Sequence, residues 1–206
     1  MVRYFFLKGY AVQQAGKLFV IMGPSGVGKT TLVNALVAQG GCERLWRVPT
    51  YTTRTPRPGE IGGVDYFFVS ADEFQDMMAA GALIEWSEAY QAFYGLGRGP
   101  VEEALSAGKT VLAVVDRLGA IQVKKYMSTA PIILILPPSL DELRRRLRAR
   151  SSGSVQEIDF RLARAAREGA LEGAAPIADH VVINDQFDRA LAELKELICP
   201  APDPVG

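Results

Sequence analysis

Residues 23–31 read GPSGVGKTT, a Gly-x4-Gly-Lys-Thr pattern directly behind the apolar run KLFVIM at 17–22. Gly23, Gly26 and Gly28 let the backbone turn tightly enough for successive N–H groups to face one anion, and the helical pattern that follows aims its dipole at the same point. Pro24, Ser25, Val27 and Thr31 complete a loop fit to wrap the phosphates of ATP. Within it, Lys29 would reach the β- and γ-phosphates and Thr30 would ligate Mg2+. Strand, glycine-rich turn and helix in that order predict an α/β fold.

The rest of the chain repeats the alternation. KLFVIM (17–22), TVLAVVD (110–116), PIILIL (131–136) and HVVIN (180–184) are short β-branched runs of the kind buried on both faces of a parallel sheet. Helical patterns lie between and after them at 29–39, 100–108, 139–150, 155–173 and 187–198. Right-handed crossovers then predict three layers, a parallel sheet flanked by helices. Two stretches interrupt the pattern. Residues 50–96, rich in Thr, Arg, Pro, Gly and aromatics, read as a small mixed β insert, and SSGS at 151–154 reads as a flexible tip between Arg-bearing helices, which the family resemblance drawn below makes a lid over about 150–160.

At 206 residues and 49% hydrophobic, the chain is long enough for one sizeable core with insertions. Lys plus Arg equals Asp plus Glu at 23 each, so no global field favours nucleic acid or an anionic membrane, and any anion site is local. Residues 1–16 read as an extension without the apolar core of a signal, and PAPDPVG at the end reads as a disordered tail, 199–206. No apolar stretch approaches the roughly 20 residues of a membrane span. Cys42 and Cys199 lack metal-ligand spacing, and the reading is two inert thiols in a reducing cytoplasm. Monomer and homodimer both stay open.

Two further groups bear on chemistry. Asp116 ends a predicted strand, where a parallel sheet delivers side chains to its ligand edge, and is either a partner in the magnesium shell or the cap of the next helix. The stretch TYTTRTPRPGEIGGVDYFF (50–68) places Arg54 and Arg57 around Pro56, with Tyr66 after a glycine-rich turn. Guanidinium forks match phosphate oxygens in paired hydrogen bonds, and a tyrosine hydroxyl adds a neutral donor. That is a second anion site.

The ordered set GPSGVGKTTL, TTRTPRPGEIGGVDYFFVS, LIEWSE, FYG, PPSLDELRRRL and VVIND, from about residue 17 to 198, resembles guanylate kinases. The resemblance implies a P-loop core, an acceptor-binding insert and a lid that close around ATP and GMP. It implies that Arg54, Arg57, Tyr66 and Tyr94 hold the acceptor phosphate and that Glu85 with Thr50 reads guanine. A carboxylate suits that task because it only accepts hydrogen bonds and guanine offers N1–H and N2–H side by side. Arg146, Arg150 and Arg161 match the lid arginines, which with Lys29 and Arg54 would act on the transferring group. Asn184 matches the position near the adenine of ATP.

Leu96 stands where the family usually has Ser or Thr, and Val114 where it usually has an acid. These two changes, with YQAFYG in place of the usual Gly-Asn-Tyr-Tyr-Gly, keep a ribose bisphosphate phosphokinase in view. A non-catalytic, phosphopeptide-binding relative is the third reading, against which Lys29, Thr30 and the lid arginines stand intact. The expected chemistry needs no general base because the acceptor phosphate is already ionised. His180, the single histidine, takes a structural role.

Overall fold

The computed structural model describes residues 16–40, 42, 44–89, 91–150, 162–163 and 175–200, with the side chain of Arg150 outside the description. Residues 1–15 of the expected extension, 151–160 of the expected lid, Arg161, most of the 155–173 helix and the tail beyond 200 lie outside the described residues.

Strand β1 (Lys17–Met22) leads through the glycine loop into α1 (Lys29–Gln39), then β2 (Leu45–Arg47). The insert follows as β3 (Thr50–Thr52), β4 (Tyr66–Phe68), α2 (Ala71–Ala79), β5 (Leu83–Ala89) and β6 (Ala92–Gly97). The core resumes with α3 (Arg98–Ser106), β7 (Thr110–Val114), α4 (Arg117–Tyr126), β8 (Ile132–Leu136) and α5 (Leu140–Arg150). It ends with a 3-10 turn (Ala175–Ile177), β9 (His180–Ile183) and α6 (Phe187–Ile198).

Five strands form a sheet in the order β2-β7-β1-β8-β9, every neighbouring pair parallel. Successive residues of each strand alternate between two cores. Leu18, Val20, Met22, Val111, Ala113, Ile132 and Leu134 meet α3 and α4 through Val101, Ala104, Ala120 and Val123. Phe19, Ile21, Leu112, Ile133, Ile135 and Val182 meet α1, α5 and α6 through Leu32, Leu36, Leu143, Leu147 and Leu194. Burial on both faces explains why these strands read as unbroken apolar runs. At about 1.5–3 kcal/mol for each large side chain removed from water, the two layers dominate stability. They position the loop after β1 at the carboxyl edge of the sheet, between β7 and β8.

The insert is a second sheet, β4-β3-β6-β5, with β3 parallel to β4 and antiparallel to β6. It is not all β. Ser70 accepts from the Glu73 N–H while Glu73 reaches back to the Ser70 N–H, a capping box that starts α2. Phe74, fully buried, then stacks on Phe93 at 5.4 Å and seals one face of the sheet.

The reading of two inert thiols is corrected: Cys42 and Cys199 form a disulfide with Cα atoms 5.9 Å apart across 157 residues of sequence. Packing of α1 beside α6 in one core brings their carboxyl ends together, which no local spacing announces. The argument from unpaired cysteines to a reducing compartment loses its premise. No helix among the described residues is long and apolar enough to cross a membrane.

Candidate active site

The glycine loop closes on itself first. Gly23 has φ 147°, and a Cβ there would lie 2.2 Å from the Ile135 carbonyl oxygen, so only glycine fits against β8. Gly28, at φ 103°, is the residue from which α1 starts. That helix has no capping side chain and no acidic residue in its first turn, whereas α2 and α4 are both capped by side chains. No side chain or acid of its own thus opposes an anion at the positive end of the α1 dipole. Lys29 Nζ donates to the carbonyls of Gly23 (2.7 Å) and Pro24 (3.1 Å), so the ammonium is folded back along the loop. Val27 is buried beneath the turn, Pro24 is also buried, Ser25 and Gly26 are half-buried, and Thr30 and Thr31 are exposed.

Behind the loop stand two residues that the sequence assigned elsewhere. Asn184 Nδ2 donates to the Val27 carbonyl at 2.7 Å. Arg146 donates from Nη1 to the same carbonyl (3.3 Å), from Nη2 to the Asn184 carbonyl (2.9 Å) and from Nε to Glu142 (2.8 Å). Its guanidinium is engaged by the loop and by its own helix rather than held out over a cleft. Hydrogen bonds from Arg145 and Arg146 hold the Glu142 carboxyl down at about 2.

In the insert, strand register gathers the predicted acceptor residues on one face. Thr50 pairs with Tyr66, Thr52 with Tyr94, and Tyr94 with Ser87. Because side chains alternate along a strand, Tyr66, Thr50, Tyr94 and Leu96 share the side opposite Phe74. Glu85, two residues before Ser87 and paired with Leu96, falls on the same face by that alternation. Beyond it the register shifts, Leu83 pairing with Gly97, so Ile84 is an extra residue and the bulge bends the strand on the Leu83 side of Glu85.

The phosphate-matching groups cluster at the far end of that face. Arg54 forks onto Glu60 with both terminal nitrogens at 2.6 Å, and its guanidinium carbon lies 4.8 Å above the Tyr66 ring. Tyr66 and Tyr94 meet edge to face at 6.3 Å. Glu60 also accepts from the Arg57 backbone N–H at 2.8 Å, while the Arg57 side chain is exposed. The Arg54 hydrogen bonds draw the Glu60 carboxyl below its ordinary value, and the same pair raises Arg54 against its own burial. Arg54 Nε is buried without a hydrogen-bond partner among the described residues. Sequence reasoning missed Glu60, although an acid inside TTRTPRPGE is a visible signal.

Glu85 joins the two halves of the molecule. It is 4% exposed, and a Cβ on Gly119 would lie 2.5 Å from its Oε2, so the carboxyl rests on the first turn of α4. Asp116 caps that helix by accepting the Gly119 N–H at 2.8 Å, the capping half of its sequence reading. Burial first, and the Asp116 charge second, push the Glu85 carboxyl up to about 8, against a backbone hydrogen bond from Leu96. Asp116 follows β7, the neighbour of β1, so the insert face and the phosphate loop meet on the same sheet edge. Leu96 is fully buried among core side chains, and Val114 is half-buried at the end of β7. The buried polar side chains among the described residues are Thr52, Glu85 and Asn184, and all three belong to this region.

A family model described as guanylate kinase matches residues 15–201. A guanylate kinase of Thermosynechococcus vestitus is 46% identical over 193 residues, covering 93% of this chain and 98% of that one. One of Caulobacter vibrioides is 46% identical over 183 residues, 88% of this chain and 84% of that one. Among solved structures, the guanylate kinase of Anaplasma phagocytophilum superposes with a TM-score of 0.71 at 28% identity, covering 90% of this chain and 86% of that one.

Proposed function

The chain belongs to the guanylate kinase family and is a nucleoside monophosphate kinase, and we propose that it moves the γ-phosphoryl group of ATP onto the phosphate of GMP, using the residues assembled above. A GMP phosphate oxygen attacks the γ-phosphorus, the bond from that phosphorus to the β–γ bridging oxygen breaks, and GDP and ADP leave. The acceptor is already an anion at neutral pH, so no group need remove a proton. Catalysis rests on placing two mutually repelling anions in line and neutralising the charge that spreads over the transferred group.

The glycine loop and Lys29 take the donor phosphates. Arg54, Arg57, Tyr66 and Tyr94 take the acceptor phosphate, and Arg54 would bring the Nε that has no hydrogen-bond partner among the described residues. Thr50 and Glu85 read the guanine edge. The observation that carries this reading is the pairing of β5 with β6, which sets the buried Glu85 beside Leu96 on the same sheet face as Tyr94 and the Arg54–Tyr66 stack, with its carboxyl against Gly119 of α4. Arg150 and Arg161, the remaining arginines of the lid motif, would complete the neutralisation.

Thr30, exposed on the first turn of α1, and Asp116, beyond β7, suit Mg2+, which prefers one or two protein oxygens alongside substrate phosphates and water. Bound there, the ion supplies charge neutralisation at the phosphate oxygens. A cytoplasmic location, where ATP and GMP are both available, is part of the same proposal. The test is ADP release measured with GMP, dGMP, AMP, UMP and ribose bisphosphate as acceptors. GMP is expected to lead by at least tenfold, and turnover with the sugar phosphate alone would overturn the assignment.

A further inference from the structure

The back of the phosphate loop carries a feature that donor binding alone does not require. The Val27 carbonyl oxygen accepts two hydrogen bonds, from Asn184 Nδ2 at 2.7 Å and from Arg146 Nη1 at 3.3 Å. Both donors are themselves held. The Asn184 backbone N–H bonds the Leu136 carbonyl at 2.8 Å, Arg146 Nη2 bonds the Asn184 carbonyl at 2.9 Å, and Arg146 Nε bonds Glu142 at 2.8 Å.

A trans peptide unit is planar, with its C=O and N–H pointing in opposite directions. The Val27 carbonyl and the Gly28 amide belong to one such unit, and no peptide of the described residues is cis. Fixing that oxygen toward β9 and α5 therefore fixes the Gly28 N–H toward the opposite side, away from both elements. Glycine is the residue least able to resist rotation of its peptide, so the direction of this amide depends on what grips the carbonyl. A Cβ on Gly28 would approach Asn184 Nδ2 to 2.7 Å, so the grip also demands glycine there.

We infer that Asn184 and Arg146 are positioning residues for the donor phosphates, acting as a clamp on the Val27 carbonyl that keeps the Gly28 amide aimed at the anion. The inference rests on the loop being the ATP phosphate site. It separates from a contact between Asn184 and the adenine ring, because a clamp acts on any polyphosphate, with or without a base.

Inorganic tripolyphosphate is the probe, measured as a competitive inhibitor against ATP. Losing one neutral hydrogen bond of this kind corresponds to roughly three- to tenfold in affinity. Asn184→Ala is expected to weaken tripolyphosphate and ATP by the same factor, about tenfold, with the KM for GMP within twofold of the parent. Asn184→Asp keeps the shape and one acceptor oxygen but lacks the donor at neutral pH, and should behave alike. Arg146→Lys, which cannot fork to two carbonyls, should show a smaller shift in the same direction and decides the matter if both Asn184 variants misfold. Weakened ATP with unchanged tripolyphosphate would assign Asn184 to the adenine instead. No change in either, or an equal rise in the KM for GMP, would also overturn the clamp. Turnover of GMP by the parent enzyme checks the underlying assignment separately.

Discussion

Replacing Glu85 by Gln should stabilise this protein in alkaline buffer while impairing its use of GMP. The Glu85 carboxyl is 4% exposed, lies against Gly119 and faces the Asp116 charge. The fold therefore binds the proton more tightly than the unfolded chain does, moving the carboxyl from 4.5 to about 8. Protonated Glu85 costs the fold little, whereas ionised Glu85 costs it the full burial and repulsion. Stability is accordingly lost as pH climbs from 4.5 toward about 8 and levels off above it. Each pH unit in that window is about 1.4 kcal/mol, so the ceiling is about 5 kcal/mol.

Gln is neutral and nearly isosteric, and still buries a polar amide, so about half of the ceiling, on the order of 2–3 kcal/mol, should reappear as stability at pH 8. For a chain of this size that is a rise of about 5–10 °C in Tm, shrinking toward zero at pH 5. Thermal unfolding of parent and variant from pH 5 to 9 reads it directly. In the same samples kcat/KM for GMP should fall ten- to a hundredfold, because an amide offers guanine one acceptor where a carboxylate offers two. In the parent, the KM for GMP should drop as pH rises from 7 to 8.5, while the KM for ATP stays level. Parallel Tm profiles for parent and variant across the whole range would refute the account of Glu85.

Lys29→Ala should lower kcat at least a hundred- to thousandfold with the fold retained on circular dichroism, and near-parental turnover would remove Lys29 from the chemistry. Arg54→Lys cannot fork onto Glu60 or a phosphate, so the KM for GMP should rise roughly tenfold or more in steady-state assays while that for ATP holds. For Cys42→Ser, the 157-residue separation closed by the bridge corresponds to up to about 5 kcal/mol of chain entropy. Without reductant its Tm should fall by about 5–15 °C below the parent, and with dithiothreitol the two should melt together. Leu96→Thr exchanges a fully buried core side chain for a hydroxyl facing the same row as Thr50 and Glu85. It should cost about 1–3 kcal/mol in denaturant unfolding yet lower the KM for GMP several-fold; an unchanged KM would mean that Thr50 or water already serves the guanine carbonyl.

Much of the scaffold was legible residue by residue. The apolar run at 17–22 is β1, and the helical patterns at 29–39 and 187–198 are α1 and α6 to the residue. These stretches are decided by neighbours in the chain: glycine where φ must be positive, apolar residues at the period of the element, a Lys-Thr pair where the helix begins. Shorter or mixed stretches were not legible. β2, β6, α2 and α4 went unassigned because their local patterns are weak and their partners supply the order. Phe93 waits for Phe74 from α2, and α4 needs the Asp116 cap and the packing of Ala120 and Val123.

What the sequence alone determined is the set of groups on offer: a Gly-x4-Gly-Lys-Thr loop between strand and helix, two arginines with tyrosines in the insert, and an acid at Glu85. Only the tertiary structure decided how those groups are aimed. The pairing of β5 with β6 sets Glu85 beside Leu96, Glu60 takes up the Arg54 fork, Asn184 and Arg146 grip Val27 from behind, and Cys42 finds Cys199. The reason is physical. Residue type and local period set what a segment can form, but facing, register and pairing are energies between segments, and those have no value until the segments meet.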